Sequence, residues 1–466
     1  MKKPIYLPLL LTGLPLISAY SANPQKENKS SKPNIIFILT DDMGYGDIGI
    51  YGGNFVPTPH IDQMAQEGIR FEQYYSASPI SSPSRAGLLT GMYPAQWNIT
   101  SYLQTRKGNR DAEMADFLDT NAPTLPRAMK AGGYKTGHFG KWHLGGGRDV
   151  DNAPGFALYG YDEYVSTYES PDPDPLLTST NWIWAASDSI KRWNRTAYFV
   201  DKTLDFLKRN EGEPCFINLW PDDMHTPWVG DMEEQDLFPK GVQTEKNFKT
   251  VLREYDKQIG RLLRGIKDLN LDNNTIVIFT SDNGPAPSFR GSRAGNMRGC
   301  KASLFEGGTR MPFIIWDTKG QIPEGKVDDS SVVSAVDMFQ SLCHIAGVNT
   351  PNGYLKQTDG TDMSKALLGT PQERKKEIYW EYRRNDNKAF PKPKGEEDAS
   401  PNVAIRKGDW KLLVNHDGSD VMLFNLRENP QETVNISANH PAITEELKEK
   451  ALKWRASLPE PQSYAD

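Results

Sequence analysis

Cysteine is scarce in this 466-residue chain: Cys215, Cys300 and Cys343 are all there is, and they fit no CxxC spacing. They can build neither a disulfide framework nor a cysteine-based zinc site, and at least one thiol stays unpaired. None precedes Cys215, which excludes a lipid-modified N-terminal cysteine. Cys215 and Cys343 lie in apolar runs and read as small core residues. A dense basic block is also missing. With 54 Lys and Arg against 60 Asp and Glu, the formal net charge is −6. That excludes nucleic acid as the main partner, because a phosphate backbone demands a basic face. A small anionic ligand needs only a local cationic pocket and stays open. Beyond the N-terminus no stretch is apolar enough to cross a bilayer, and no internal repeat is visible.

What is present begins with MKKPIYLPLLLTGLPLISAYSANPQ, in which Lys2 and Lys3 precede an apolar run broken by Pro and Gly, then small residues around Ala19 to Ala22. This is the pattern of a secretory signal peptide over 1–22, followed by a polar tether over 23–33. The mature protein is expected to be exported, with no membrane span.

NIIFIL (34–39) is a continuous β-rich apolar run that ends abruptly at Asp41 and Asp42. Such runs are buried on both faces, as in a parallel sheet. PCFINLW (214–220), TIVIFTSDNG (275–284) and PFIIW (312–316) are of the same kind. Between them, 245–269 sets Phe248, Leu252, Tyr255, Ile259, Leu262, Ile266 and Leu269 in steps of four and three, a helical stripe made for core packing. Strands alternating with helices predict an α/β fold, a large mostly parallel central sheet sandwiched by helices over 34–373. The texture changes over 374–466. EIYWEYR, NVAIRKGDWKLLVNH and VMLFNL predict a smaller antiparallel sheet, closed by an amphipathic helix over roughly 441–456. The proline-rich NDNKAFPKPKGEEDASP (385–401) reads as an exposed loop.

In α/β sheets ligands sit beyond the carboxyl ends of strands, and two polar pairs fall there, Asp41–Asp42 and Asp282–Asn283. As solvated turn residues they need nothing further. As neighbours in one site, adjacent carboxylates repel unless a cation neutralises them, and a hard divalent ion with oxygen ligands, calcium or magnesium, is the natural answer. SPISSPSRAGLLTG (78–91) poses a similar choice. Ser81, Ser82 or Ser84 can cap a helix with Pro83 in its first turn, or a nucleophile can sit where the helix dipole and Arg85 favour negative charge. GHFGKWHLGGG (137–147) sets Lys141 and His143 two apart in a glycine-dense loop, and residues two apart on an extended segment point the same way. His225 in PDDMHTPW follows a further strand end, and Lys301 in RGCKASLFEGGTRMP precedes a helix-like stretch and a Gly-Gly turn. Singly, each is an ordinary polar loop residue.

Taken together the motifs are specific. IIFILTDDMGYGD, TPHIDQMAQEGIRF, SSPSRAGLLTG, GKWHLG, TSDNGP, LFEGGTRMP, RKGDWKLL and LFNLRENPQET span nearly the whole mature chain. In this set the sequence resembles the formylglycine-dependent sulfatases of the alkaline-phosphatase superfamily. The resemblance implies an alkaline-phosphatase-like fold and a sulfuric ester hydrolase. It implies that Ser81, the first position of S-x-P-S-R, is oxidised to formylglycine, whose hydrate offers one hydroxyl to attack sulfur and a second whose deprotonation expels sulfate. It further implies that Asp41, Asp42, Asp282, Asn283 and residue 81 hold a metal, calcium in preference to magnesium. Arg85 would steady the hydrate, Lys141 and Lys301 would bind sulfate oxygens, and His143 would be the base for sulfate release. His225 would protonate the leaving sugar oxygen, with Lys301 assisting. Residue 81 is serine where many members have cysteine, which implies a radical-SAM maturase of the anaerobic bacterial kind and a periplasmic, or else secreted, protein.

The motifs fix the sulfate end and say little of the leaving group. Trp182, Trp184 and Trp193 in NWIWAASDSIKRW (181–193), with Trp220 and Trp228 beside the His225 motif, either stack on sugar faces or fill core. FRGSRAGNMR (289–298) is either a solvated loop or a contact for further anionic groups on a glycan. The expected substrate is a sulfated carbohydrate, with a galactose-type residue preferred. A phosphoester or phosphonate hydrolase of the same superfamily, and a catalytically silent sulfated-glycan binding protein with unmodified Ser81, are the alternatives.

Overall fold

The computed structural model describes residues 32–230, 243–287, 289–317, 322–349, 358–385, 390–393 and 395–460, with Met1 and Gly320. The signal-peptide segment beyond Met1, and all of the tether but its last two residues, lie outside the described residues. Among those described, no helix is long and apolar enough to cross a membrane.

The central strand β1 (Asn34–Thr40) is buried along its whole length. Alternate side chains of a strand face opposite ways, so Ile35, Phe37 and Leu39 enter one core layer and Ile36 and Ile38 the other. Burial on both faces is why the run is apolar throughout. The main sheet has nine strands in the order β4–β3–β5–β1–β6–β7–β2–β8, with β9 also on β2. Here β2 is Ile69–Tyr75, β3 Lys135–Gly140, β4 Glu163–Ser166, β5 Cys215–Trp220, β6 Thr275–Ser281, β7 Arg310–Asp317, β8 Lys326–Asp328 and β9 Val333–Ser334. β1 pairs in parallel with both β5 and β6, Ile36 standing opposite Ile217 and Val277, and β3 pairs in parallel with β4 and β5.

Two expectations need correction. PFIIW belongs to β7, which runs antiparallel to both β6 and β2. Among the described residues of the β6–β7 connection there is no crossover helix, only the short helical turns Phe289–Ala294 and Glu306–Thr309, and the chain turns back. Residues 137–140 are not loop but the end of β3. Gly140 sits at φ +130°, and a Cβ there would lie 2.0 Å from the Trp220 carbonyl oxygen. The glycine that suggests a loop is what lets β3 close on β5.

Helices α1 (Pro59–Gln66), α5 (Arg195–Arg209) and α6 (Glu245–Asp268) cover one face. On α6 the predicted stripe is buried from Phe248 to Ile266. The other face carries α2 (Ser81–Thr90), α4 (Leu125–Ala131) and α8 (Met338–Ile345), while α3 is Arg106–Asp111, α7 Glu306–Thr309 and α9 Ser364–Leu367. β10 (Ile378–Glu381), β11 (Val403–Lys407), β12 (Trp410–Val414) and β13 (Met422–Asn425) form the four-stranded antiparallel sheet. Its Trp380, Ala404, Leu413 and Phe424 join the main core, and Val403, Ile405 and Leu412 pack under α10 (Pro441–Ala456). The stretch 385–401 is not all exposed loop: Phe390 is buried edge-on against Tyr382, because its ring has core to fill.

Because β1, β3, β5 and β6 are mutually parallel, their carboxyl ends reach one edge of the sheet. β2 runs the same way and delivers α2 there, and antiparallel β7 brings the 301–309 segment to it.

Candidate active site

The carboxyl edge gathers charge that the sheet itself cannot solvate. Asp41, Asp42, Asp282 and Asn283 are all buried, and one oxygen from each of the three carboxylates lies within 4.8 Å of the others. Asp42 adopts φ +61°, and its carbonyl accepts from Arg293 Nη2 at 2.8 Å while its N–H donates to Asp282 Oδ1 at 3.2 Å. Arg293 is in turn held by Asp47 at 2.7 Å and stacked on Phe248. This arginine of the 289–298 loop is therefore structural. Arg298 lies over Phe305 and donates to the Glu397 carbonyl.

Three cations answer the three carboxylates. Lys141 Nζ lies 2.9 Å from Asp41 Oδ2, Lys301 Nζ 2.8 Å from Asp42 Oδ2, and Arg85 Nη2 2.8 Å from Asp282 Oδ2. Burial works against ionisation of all three acids. For Asp41, Lys141, His225 and Arg85 outweigh it and hold the carboxyl well below its usual range. Asp42 is lowered too, chiefly by Lys301 against burial. For Asp282, burial with Asp41 and Asp42 nearby outweighs Arg85, and its pKa rises to about 6. The three carboxylates are thus matched by Lys141, Lys301 and Arg85, with Asp282 the most reluctant to ionise.

Ser81 opens α2 and faces them. Its Oγ stands 3.2 Å from Asp41 Oδ1 and 3.3 Å from Asn283 Oδ1. One hydroxyl hydrogen cannot serve two acceptors well. A cluster of acid, amide and hydroxyl oxygens short of hydrogens fits a hard divalent cation. Capping is not what the serines do: the N-cap residue is Ile80, no side chain caps the helix, and Ser82 Oγ instead accepts from the Leu103 N–H at 2.9 Å. Pro83 has no N–H and the Ser84 N–H donates to the Ile80 carbonyl at 3.2 Å, so Ser81 and Ser82 are the first-turn residues whose N–H groups lie at the positive end of the helix, which favours an anion. Arg85, one turn on, stacks on Trp220 and donates to Asp282, Asp41 and the Lys141 carbonyl. It reaches Ser81 through their shared partner Asp41.

Ser81, Lys141, His143, His225 and Lys301 line a single cavity of about 220 Å³. His143 sits at φ +54°, with Nε2 3.0 Å from the Leu103 carbonyl oxygen and 3.4 Å from Glu169 Oε2. Its buried Nδ1 has no hydrogen-bond partner among the described residues. Burial, with Lys141 and Arg148 nearby, outweighs Glu169 and depresses its pKa to about 3, so the ring is neutral. His225 Nε2 is 3.6 Å from Asp42 Oδ2, and burial and Lys301 lower its pKa.

Sequence reasoning missed the supports. Arg192 and Arg195 converge on Asp222 Oδ2, the latter at 2.8 Å, and Arg192 Nη2 donates to the His225 carbonyl at 2.9 Å. The sequence carried no signal that the two arginines of KRWNR would meet the acids of PDDMH. Arg148 and Glu169, also in the cavity wall, carried none. Of the tryptophans, Trp184, Trp220 and Trp228 are core, and Trp182 is 44% exposed.

With this geometry in place, the sulfatase family model matches residues 33–348, and that of the N-sulphoglucosamine sulphohydrolase C-terminal region matches 300–457. The chain belongs to the sulfatase family. As a sulfatase it is a sulfuric ester hydrolase. It is 28% identical to an N-acetylgalactosamine-6-O-sulfatase of Bacteroides thetaiotaomicron, over 94% of this chain and 97% of that protein. It is 33% identical to the dog (Canis lupus familiaris) N-acetylgalactosamine-6-sulfatase, over 72% of this chain and 66% of the relative. A B. thetaiotaomicron structure described in work on the metabolism of multiple glycosaminoglycans superposes with a TM-score of 0.72 at 26% identity, covering 92% of this sulfatase and all of that chain.

Proposed function

We propose that this sulfatase hydrolyses a sulfate ester on a galactose- or N-acetylgalactosamine-type residue of a glycan, with residue 81 acting as a formylglycine hydrate. The observation that carries the reading is Ser81 Oγ, within 3.2–3.3 Å of Asp41 and Asn283 in the cavity that also holds Lys141, His143, His225 and Lys301. An unmodified serine has one hydroxyl and no way to eject sulfate once it is sulfated. The oxidised and hydrated residue has two. One passes its proton to Asp41, whose Oδ1 lies 3.2 Å from Oγ, and attacks sulfur as the bond to the sugar oxygen breaks, and His225 gives that oxygen a proton. His143 then takes the proton of the second hydroxyl, the C=O bond re-forms, and sulfate leaves; water restores the hydrate. Lys141 and Lys301, both in the cavity wall, stabilise the sulfate oxygens throughout. Asp41, Asp42, Asp282, Asn283 and residue 81 would hold calcium. A divalent cation held there would supply positive charge to the acids and to the sulfate oxygens.

Serine at position 81 supports maturation by an anaerobic radical-SAM enzyme, and the N-terminal pattern supports export to a bacterial periplasm. The carbohydrate reading draws on the names of the similar proteins and on the polar cavity. Release of inorganic sulfate from a panel of sulfated mono- and oligosaccharides tests it, and turnover confined to aryl or steroid sulfates would sink it.

A further inference from the structure

The cavity has a side that the sulfate-directed residues do not fill, walled by Tyr102, Ile183, Arg148 and Glu169. The glycine run 145–147 shapes it. A Cβ on Gly146 would lie 2.2 Å from the Ser170 carbonyl carbon, so the run packs directly on 168–170. The Arg148 N–H donates to the Tyr168 hydroxyl at 2.8 Å, and Arg148 Nη2 lies 2.5 Å from Glu169 Oε1. We propose that Arg148 and Glu169 form a charge-neutral clamp that recognises hydroxyl groups of the sugar residue bearing the sulfate, so that the preferred residue carries no second charge. The proposal rests on the carbohydrate-sulfatase reading and deepens it.

Three observations support the clamp. First, the guanidinium engages the carboxylate through Nη2, which leaves Nε and Nη1 without a protein partner among the described residues. Sugar hydroxyls both donate and accept, and a guanidinium beside a carboxylate offers both functions in a fixed plane. Second, the pair cancels its own charge. Burial resists ionisation of Glu169, but His143, Lys141 and Arg148 hold its pKa down at about 2, so the carboxylate is present at any working pH. A second sulfate or a carboxylate on the same sugar would meet Glu169 with no unbalanced cation to offset it. Third, Ile183 and the Tyr102 ring give the clamp an apolar surround, where a polar group left unpaired is costly.

The test uses the full-length matured enzyme and four substrates: a singly sulfated galactose-type sugar, its analogue lacking the free hydroxyls, a disulfated sugar and an aryl sulfate. Arg148→Ala should lower kcat/KM for the singly sulfated sugar, relative to the aryl sulfate, by about 10- to 100-fold. The deoxygenated sugar should lose a similar factor with the wild type, and the two losses should not add. Arg148→Lys keeps the charge without the planar fork and should recover only part; it carries the comparison if Arg148→Ala does not fold. Glu169→Gln leaves Arg148 unbalanced and should raise the disulfated-over-singly-sulfated ratio severalfold. Equal losses on sugar and aryl sulfates, or additive losses with the deoxygenated sugar, overturn the clamp and leave the sulfatase reading intact. A wild type that hydrolyses aryl sulfate but no sulfated sugar overturns instead the carbohydrate reading beneath it.

Discussion

Two clusters of buried charge in this molecule are built to opposite purposes. At the seam between the sheets, Lys411 lies fully buried 2.8 Å from Glu306 and 3.0 Å from Glu432. The Tyr75 hydroxyl donates to Glu306 at 2.7 Å, and the Glu306 N–H donates to Glu432 at 2.5 Å. None of these groups lines the cavity. At the carboxyl edge of the main sheet, Asp41, Asp42 and Asp282 are equally buried and equally paired with cations, yet Lys141, Lys301 and Ser81 open on the cavity. Burial and shifted pKa values are common to both. What separates a site from a strut is a side left for a ligand.

Changes to the two clusters should therefore fail in different ways. Ser81→Ala should abolish sulfate-ester hydrolysis, by about 10⁴-fold or more, while thermal unfolding moves by no more than a few degrees. Lys411→Met should do the reverse. It leaves buried carboxylates without their cation and should cost about 3–5 kcal/mol in chemical unfolding, with kcat/KM of the folded fraction unchanged. A Lys411→Met variant that folds normally but loses turnover would erase the distinction.

A third comparison uses the cation. After chelation, calcium at a hundredfold over its Kd should raise the unfolding free energy by about 2.7 kcal/mol. In Asp282→Asn the same titration should give much less, and in Lys411→Met as much as in the wild type. Calorimetry at fixed pH reads all three.

The smallest effect is a pH dependence. Burial beside Glu306, against the opposing Lys411, raises the Glu432 pKa from 4.5 to about 7, with Arg310 and Arg406 acting on Glu306 from the adjoining elements. The folded chain then holds a proton that the unfolded chain has lost. Its contribution is full below about pH 4.5 and gone above about pH 7. Glu432→Gln should flatten that decline, by about 1–3 kcal/mol across the window. A parallel offset at all pH values would assign the titration elsewhere.

Much of this was legible because chemistry in an α/β sheet sits where an apolar strand stops. IIFILT ends at Asp41 and TIVIFTS ends at Asp282, so the acids announce themselves by interrupting a hydrophobic run. Lys141 and His143 were legible as neighbours, though not that Gly140 closes a strand just before them. Pairings between distant polar residues were hidden. Arg192 with Asp222 and Lys411 with Glu306 are set by which segments the folded sheet brings together, and no periodicity records that. Ser81 looked like a cap because serine before a helix usually is one. The structure puts it inside the first turn, with its hydroxyl turned to Asp41.

The most direct test is the mass of the Ser81 peptide taken from enzyme that is actively releasing sulfate. The account predicts that this peptide has lost two hydrogens at Ser81, with a water adduct marking the hydrate. An intact serine in protein turning over at full rate would contradict it, because the hydroxyl of an unmodified Ser81 has no second oxygen with which to expel sulfate.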